Sequence, residues 1–130
     1  MSQLGPKSVE RLAECDERLQ RVFNEVIKNY DCTVICGHRS KEDQDEAVRT
    51  GKSKLKFPDS KHNLVPSRAA DVVPFPIDWN DKIRFYHFIG YVLGVADTMG
   101  IKLRSGSDWN KNNNFKDEHF MDLPHFELVD

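Results

Sequence analysis

The sequence is short of several things that would each point to a function class. Its three cysteines, Cys15, Cys32 and Cys36, are an odd number, cannot close into a disulfide set, and suit a reducing compartment. The close Cys-x-x-Cys spacing of a zinc cluster is missing too. If Cys32 and Cys36 share a strand, they face the same side about 13 Å apart, too far to bridge. All three read as small buried apolar residues. Neither sign of charge dominates: 19 Lys and Arg against 21 Asp and Glu leave a formal net charge of -2. That excludes nucleic-acid binding driven by overall charge, so no nucleic-acid partner is expected. The longest apolar stretch, Phe85 to Ala96, is interrupted by His87 and too short to span a bilayer. Met1 to Lys7 holds no apolar core of the secretory kind, so neither membrane insertion nor a signal peptide is expected. Internal repeats and linkers are also absent.

What is there is a 130-residue chain of 15.1 kDa, long enough to bury a core as one domain over residues 1–130. Ser8 can cap a helix running to about Asn29, with Val9, Leu12, Leu19, Val22, Phe23, Val26 and Ile27 as its apolar stripe. The β-branched run Asp31 to Cys36 predicts a strand closed by Gly37. Ser40-Lys41-Glu42-Asp43 resembles a capping box opening a short helix that stops at Gly51. His38 and Arg39 then lie on a strand-to-helix turn. Lys52 to Ser67 is polar, with Lys52, Lys54, Lys56 and Lys61 against only Asp59. The plain reading of that stretch is a solvated loop; the sharper one is attraction of an acidic ligand. Ala69 to Val73 predicts a buried strand ended by Pro74 and Pro76, and Asp81 to Met99 a central helix ended by Gly100. His87 on that helix reads as a packed or edge histidine. Ile101 to Ser105 and His125 to Val129 alternate like strands, separated by a long asparagine-rich loop from Gly106 to Met121. The order α-β-α-β-α-β-β predicts an α+β domain: a small, largely antiparallel sheet packed against helices, with a metal site at the sheet face.

The chemistry begins with Asp71, an acid inside an apolar strand. An ionised carboxylate there is costly unless it is paired, hydrogen-bonded or bound to a metal. His62 lies nine positions earlier and His125 opens the last strand after Pro124. Three ligands, His62, Asp71 and His125, would suit a zinc ion with a fourth position left for water. Asp122, three residues before His125, is placed to act as base off the metal. Arg39 on its turn is a better candidate than Arg68 to stabilise a carbonyl oxygen that gains charge. Each residue also has a plainer reading: Asp71 could pair with Arg68, and His125 could hydrogen-bond at a strand end. Glu127 shares a face with His125, where it could orient that histidine or rival Asp122 as base. Asp117-Glu118-His119 offers a competing metal face, disfavoured because polar loops rarely fix coordination geometry.

Ser60-Lys61-His62 with Ala69-Ala70-Asp71, and Asp122-Leu123-Pro124-His125-Phe126-Glu127-Leu128, resemble the two signature segments of the VanY-like zinc peptidases. Gly37-His38-Arg39-Ser40 with Gln44, and Gly106-Ser107-Asp108-Trp109, resemble two further elements, so the likeness runs from Gly37 to Leu128. That family includes D,D-carboxypeptidases, D,D-dipeptidases and the L-alanyl-D-glutamate peptidases used as phage endolysins. The resemblance implies Zn2+ held by His62, Asp71 and His125, with Asp122 as base and Arg39 at the carbonyl oxygen. It implies Ser60 and Gln44 as substrate contacts, with Asp108 and Trp109 shaping the pocket. Many members space the ligand His and Asp by seven residues; the nine here resemble the endolysin form, and leave the Asn63 to Arg68 loop without an assigned role. The implied substrate is the peptide stem of bacterial peptidoglycan, cut between L-alanine and D-glutamate. The enzyme is expected to be a monomer, held in the host cytoplasm until release and then acting on the wall in the periplasm. A D,D-carboxypeptidase or dipeptidase releasing D-alanine is the alternative within this chemistry. An inactive, metal-holding wall-binding module is the alternative outside it, and would leave Asp122 and Arg39 without a task.

Overall fold

The computed structural model describes residues 2–114, 116 and 121–129. Helices α1 (Pro6–Ala13) and α2 (Glu17–Val26) precede strand β1 (Cys32–Cys36) and helix α3 (Lys41–Arg49). A 3-10 turn (Lys61–Asn63) leads to β2 (Ala69–Pro74), then α4 (Lys82–Thr98), β3 (Leu103–Gly106) and β4 (Asp122–Leu128). The four strands form one sheet in the order β1-β2-β4-β3, every neighbouring pair antiparallel, which bears out the α+β expectation. Among the described residues no helix is long and apolar enough to cross a membrane.

The single helix expected from Ser8 to Asn29 is two helices. Between them Glu14 and Asp16, on either side of Cys15, give backbone groups to Ser67: Ser67 N donates to Glu14 O at 2.9 Å and Asp16 N to Ser67 O at 2.8 Å. A continuing helix would have consumed those groups. Pro6 starts α1, and Ser8 is buried instead of capping, its Oγ accepting from Val34 N at 3.0 Å. Asp16 caps α2 by accepting from Arg18 N at 2.9 Å.

One face of the sheet carries Cys32, Val34, Ala70, Val72, Leu103, Phe126 and Leu128 into a core with α2 and α4. Phe23 and Phe88 both meet Phe126 edge-on, at 5.5 and 6.2 Å between ring centroids. Alternation then sends Asp71, His125 and Glu127 to the opposite face, Asp71 directly across from His125. His87 sits at the helix edge, where its Nδ1 meets Tyr30 Oη at 2.9 Å.

Two irregularities reset that alternation. In β1, Val34 pairs with Val72 but Cys36 pairs with Asp71, so Ile35 is an extra residue. Cys36 is thereby turned to the Asp71 face while Cys32 stays in the core, which corrects the expectation that the two share a side. In β4, Phe126 pairs with Ser105 but Asp122 with Gly106, leaving Leu123 to His125 opposite a single step of β3. Pro124 is accommodated in that bulge, and the strand begins at Asp122, three residues before the expected His125.

Candidate metal centre

Three donor atoms converge on the sheet face. His62 Nε2, His125 Nδ1 and Asp71 Oδ1 lie 3.2 Å from one another along all three edges of a triangle. The far nitrogen of each ring is committed: His62 Nδ1 lies 2.7 Å from Gly37 O, and His125 Nε2 2.8 Å from Glu127 Oε1. Both partners only accept, so both far nitrogens carry the proton. In neutral rings the near nitrogens then present bare lone pairs, pointed at each other and at a carboxylate oxygen. Such a set calls for positive charge at its centre. Burial opposes a charged His62, yet the charge and hydrogen bond of Asp71 outweigh it and push the ring up to about 10. Burial likewise opposes an ionised Asp71, and the two histidines overcome it, holding that carboxyl far below its usual range.

The donor set fits a metal ion. Ligand bonds of about 2.0–2.1 Å in tetrahedral array place neighbouring donors about 3.3 Å apart, and a histidine ligand typically donates its far N–H as both do here. The expected ligands are therefore brought together, with the second histidine coming from 63 residues beyond the first.

The two remaining sequence candidates flank this triangle. Asp122 Oδ2 lies 3.9 Å from His125 Nδ1, carried there by the β4 bulge. Burial, reinforced by the Asp71 charge, pushes its pKa up to about 6 against the pull of His125, His62 and Arg39. Arg39 Nη2 lies 3.4 Å from Asp71 Oδ2 and Nη1 donates to Gln44 Oε1 at 3.1 Å. Asp71 thus has Arg39, not Arg68, as its arginine.

Residues 1–129 match the protein family described as phage L-alanyl-D-glutamate peptidase. The L-alanyl-D-glutamate peptidase of Escherichia phage T5 is 33% identical over 133 residues, covering 96% of each chain. The chain belongs to this family. The crystal structure of the Serratia marcescens L-Ala D-Glu endopeptidase ChiX aligns with a TM-score of 0.75 at 26% identity, over 98% of this chain and 91% of that one. A VanY-like fold agrees with both likenesses.

Within the peptidase, the supporting residues are as organised as the donors. Gln44 is wholly buried; its amide donates to Leu55 O at 2.6 Å and Ser53 Oγ at 2.9 Å while its oxygen serves Arg39 and Asn63. Ser60 is 4% exposed and caps the turn that carries His62, its Oγ accepting from His62 N at 3.2 Å. These bonds tie both residues into the scaffold around the site. Glu127 joins His125 to Arg104 Nη2 at 2.5 Å and Lys61 Nζ at 3.4 Å. Burial opposes its charge, and His125 and Arg104 hold it at about 2. Trp109 lies 5.2 Å from the His125 ring, under the Arg104 guanidinium. Arg104 and Cys36 were not foreseen. Arg104 pairs with Glu127 across the β3–β4 ladder, a contact that sequence alternation could have found had the two strands been aligned. Cys36 Sγ stands 3.9 Å from His62 Nδ1, and with His62 and Asp71 it forms a second group of donors close enough to hold a metal ion. His119, with Asp117 and Glu118, lies outside the described residues.

Two pockets adjoin the triangle. One, of about 770 Å³, reaches from Cys36 and Asp71 to Trp79; the other, of about 370 Å³, reaches from His62 and His125 to Lys54. Arg39, Lys52 and Asp122 belong to both.

Proposed function

We propose that this protein is a zinc-dependent phage endolysin that hydrolyses the L-alanyl-D-glutamate bond in the peptide stem of bacterial peptidoglycan. The observation that carries the reading is the 3.2 Å triangle of His62, Asp71 and His125 flanked by Asp122 and Arg39, in a chain of this family. Zinc held by those three residues would supply Lewis acidity, activating water and polarising the scissile carbonyl. Asp122, ionised, takes the proton from the attacking water on its carboxylate and returns it to the leaving amine. The free N–H groups of Arg39 meet the negative charge that grows on the carbonyl oxygen. Gln44 holds Arg39 in place, and Glu127 holds the His125 ring in the tautomer that leaves Nδ1 bare. Ser60 and Gln44 accordingly work as positioning residues. The protein acts as a monomer, kept in the host cytoplasm until it is released onto the wall.

Digestion of purified peptidoglycan followed by mass spectrometry of the new ends tests the reading. New amino-terminal glutamate is expected. Free D-alanine would identify a D,D-carboxypeptidase instead, and zinc binding with no new ends would leave only a wall-binding module. In the same assay Asp122→Asn should keep one zinc per chain and lose about 10²–10⁴ in rate, whereas His125→Ala should lose both metal and activity. Loss of zinc from Asp122→Asn would make Asp122 a ligand and overturn its assignment.

A further inference from the structure

The pockets on either side of Arg39 and Asp122 differ in charge. The smaller is bounded by Lys54, Lys61 and Arg104 and shares Lys52 with the larger, and of its acids Asp59, Asp122 and Glu127 the last is already matched by Arg104 and Lys61. The larger carries Asp43 and Glu46 among apolar Ile35, Ala47 and Leu123, with Trp79 at its edge. Trp79 is 54% exposed yet fixed, stacked on buried Phe85 at 5.4 Å and 21° between planes. Its segment is further tied down by Arg84, which donates to Pro76 O at 2.6 Å. A large aromatic face held open at the mouth of a pocket is a surface built to be covered.

The two sides of an L-alanyl-D-glutamate bond differ in the same sense. On the acyl side stands neutral L-alanine, joined through a lactyl group to an amino sugar. On the amine side stands D-glutamate, which is linked onward through its γ-carboxyl and so keeps a free α-carboxylate, with further carboxylates beyond. Placing those carboxylates among Asp43 and Glu46 would set like charges together; placing them among the lysines pairs opposite ones.

Resting on the reading of this protein as an L-alanyl-D-glutamate peptidase, we infer a fixed direction of binding. The D-glutamate side enters the lysine-lined pocket, where Lys52 and Lys54 meet its α-carboxylate, and the alanyl side enters the larger pocket, where Trp79 stacks on the sugar. Lys52 and Lys54 are then specificity residues for a free D-glutamate carboxylate, and Trp79 for an attached glycan.

The test uses the zinc-loaded protein and three soluble probes: a muramyl stem with D-glutamate, the same stem with its α-carboxyl converted to the amide, and the first stem without its sugar. For Lys52→Gln/Lys54→Gln, KM for the acid stem should rise about tenfold, with kcat little changed and KM for the amide stem moving far less. For Trp79→Ala, KM should rise severalfold for the sugar-bearing stem and not for the sugar-free one, with Trp79→Phe in between. Equal effects of the lysine changes on acid and amide stems, or of Trp79→Ala on sugared and bare stems, would overturn the direction of binding while leaving the bond assignment intact. Failure of the unaltered enzyme to cut any of the three at the alanyl bond would instead overturn the functional reading and this inference with it.

Discussion

Asp122 must be ionised to accept a proton, and its surroundings resist ionisation. Burial and the neighbouring Asp71 raise its pKa to about 6, so the carboxyl becomes protonated, and useless as a base, as pH falls through that value. A bound cation favours the anion and moves the transition down from there. The acid limb of kcat/KM should therefore have its midpoint at or below about 6, with activity rising as pH increases. A pH profile taken at saturating zinc checks this, and a midpoint well above 6 would assign the limb to another group. The thiols give a second prediction at this scale. Burial pushes Cys15 and Cys32 up to about 12, with Glu14 adding to the effect at Cys15 and Asp31 at Cys32, so both are thiols and unreactive near neutral pH. Cys36 is only partly buried and lines the larger pocket. One thiol per native chain should react with a chromogenic disulfide and all three in denaturant; fast labelling that persists in Cys36→Ser would refute the assignment.

At the scale of elements, two glycines hold the centre together by what they lack. A Cβ on Gly37 would lie 2.2 Å from Arg11 O, a backbone atom of α1, and a Cβ on Gly106 would lie 2.1 Å from Asp122 O. The first close approach places the carbonyl that fixes His62, and the second places the strand end that carries Asp122. Gly37→Ala should thus cost about 1–3 kcal/mol of stability and weaken zinc binding by about 10–100-fold. Gly90 on α4 has nothing within 4 Å of its would-be Cβ, so Gly90→Ala should instead stabilise by about 0.5–1 kcal/mol. Thermal melts and zinc titrations of both variants distinguish a steric requirement from general intolerance. These contacts also explain what could be read from the sequence. Period-two alternation placed His125 and Glu127 on one face because β4 is regular from His125 to Glu127, and the cost of an ionised acid in an apolar strand singled out Asp71. The bulges at Ile35 and Leu123 to His125, and the break at Cys15, answer to partners far away in the chain. Local propensity carries no record of Ser67 or Gly106, so Cys36 and the helix boundary went astray.

For the molecule as a whole, the centre acts as a clasp. His62 hangs from the turn after the basic loop, Asp71 from β2 and His125 from β4, so three donors from three separate elements, the outer two 63 residues apart, meet at one point. Without a cation the charge of Asp71 is met by protonation of the histidines, which their burial opposes. Zinc held by all three would bind only where they are assembled, and so would stabilise the folded state by mass action, by about 4 kcal/mol at a thousandfold excess over Kd. For a chain of 130 residues that is a rise on the order of 10 °C in Tm. Chelation should lower Tm by that amount and zinc restore it; an unmoved Tm with zinc demonstrably bound would mean the ion grips the unfolded chain as well. The charge around the clasp acts at longer range. The net charge is only -2, so the field an acidic stem meets is local, set by Lys52, Lys54 and Lys61 beside His62. Screening reaches about 10 Å at 0.1 M salt, which is the distance over which such a patch would guide a substrate. Raising ionic strength from low to moderate should accordingly lower kcat/KM on the acid stem by raising KM, and leave Tm of the zinc form nearly unchanged. A flat response would confine the lysines to direct contact with the bound stem and remove any part in its capture.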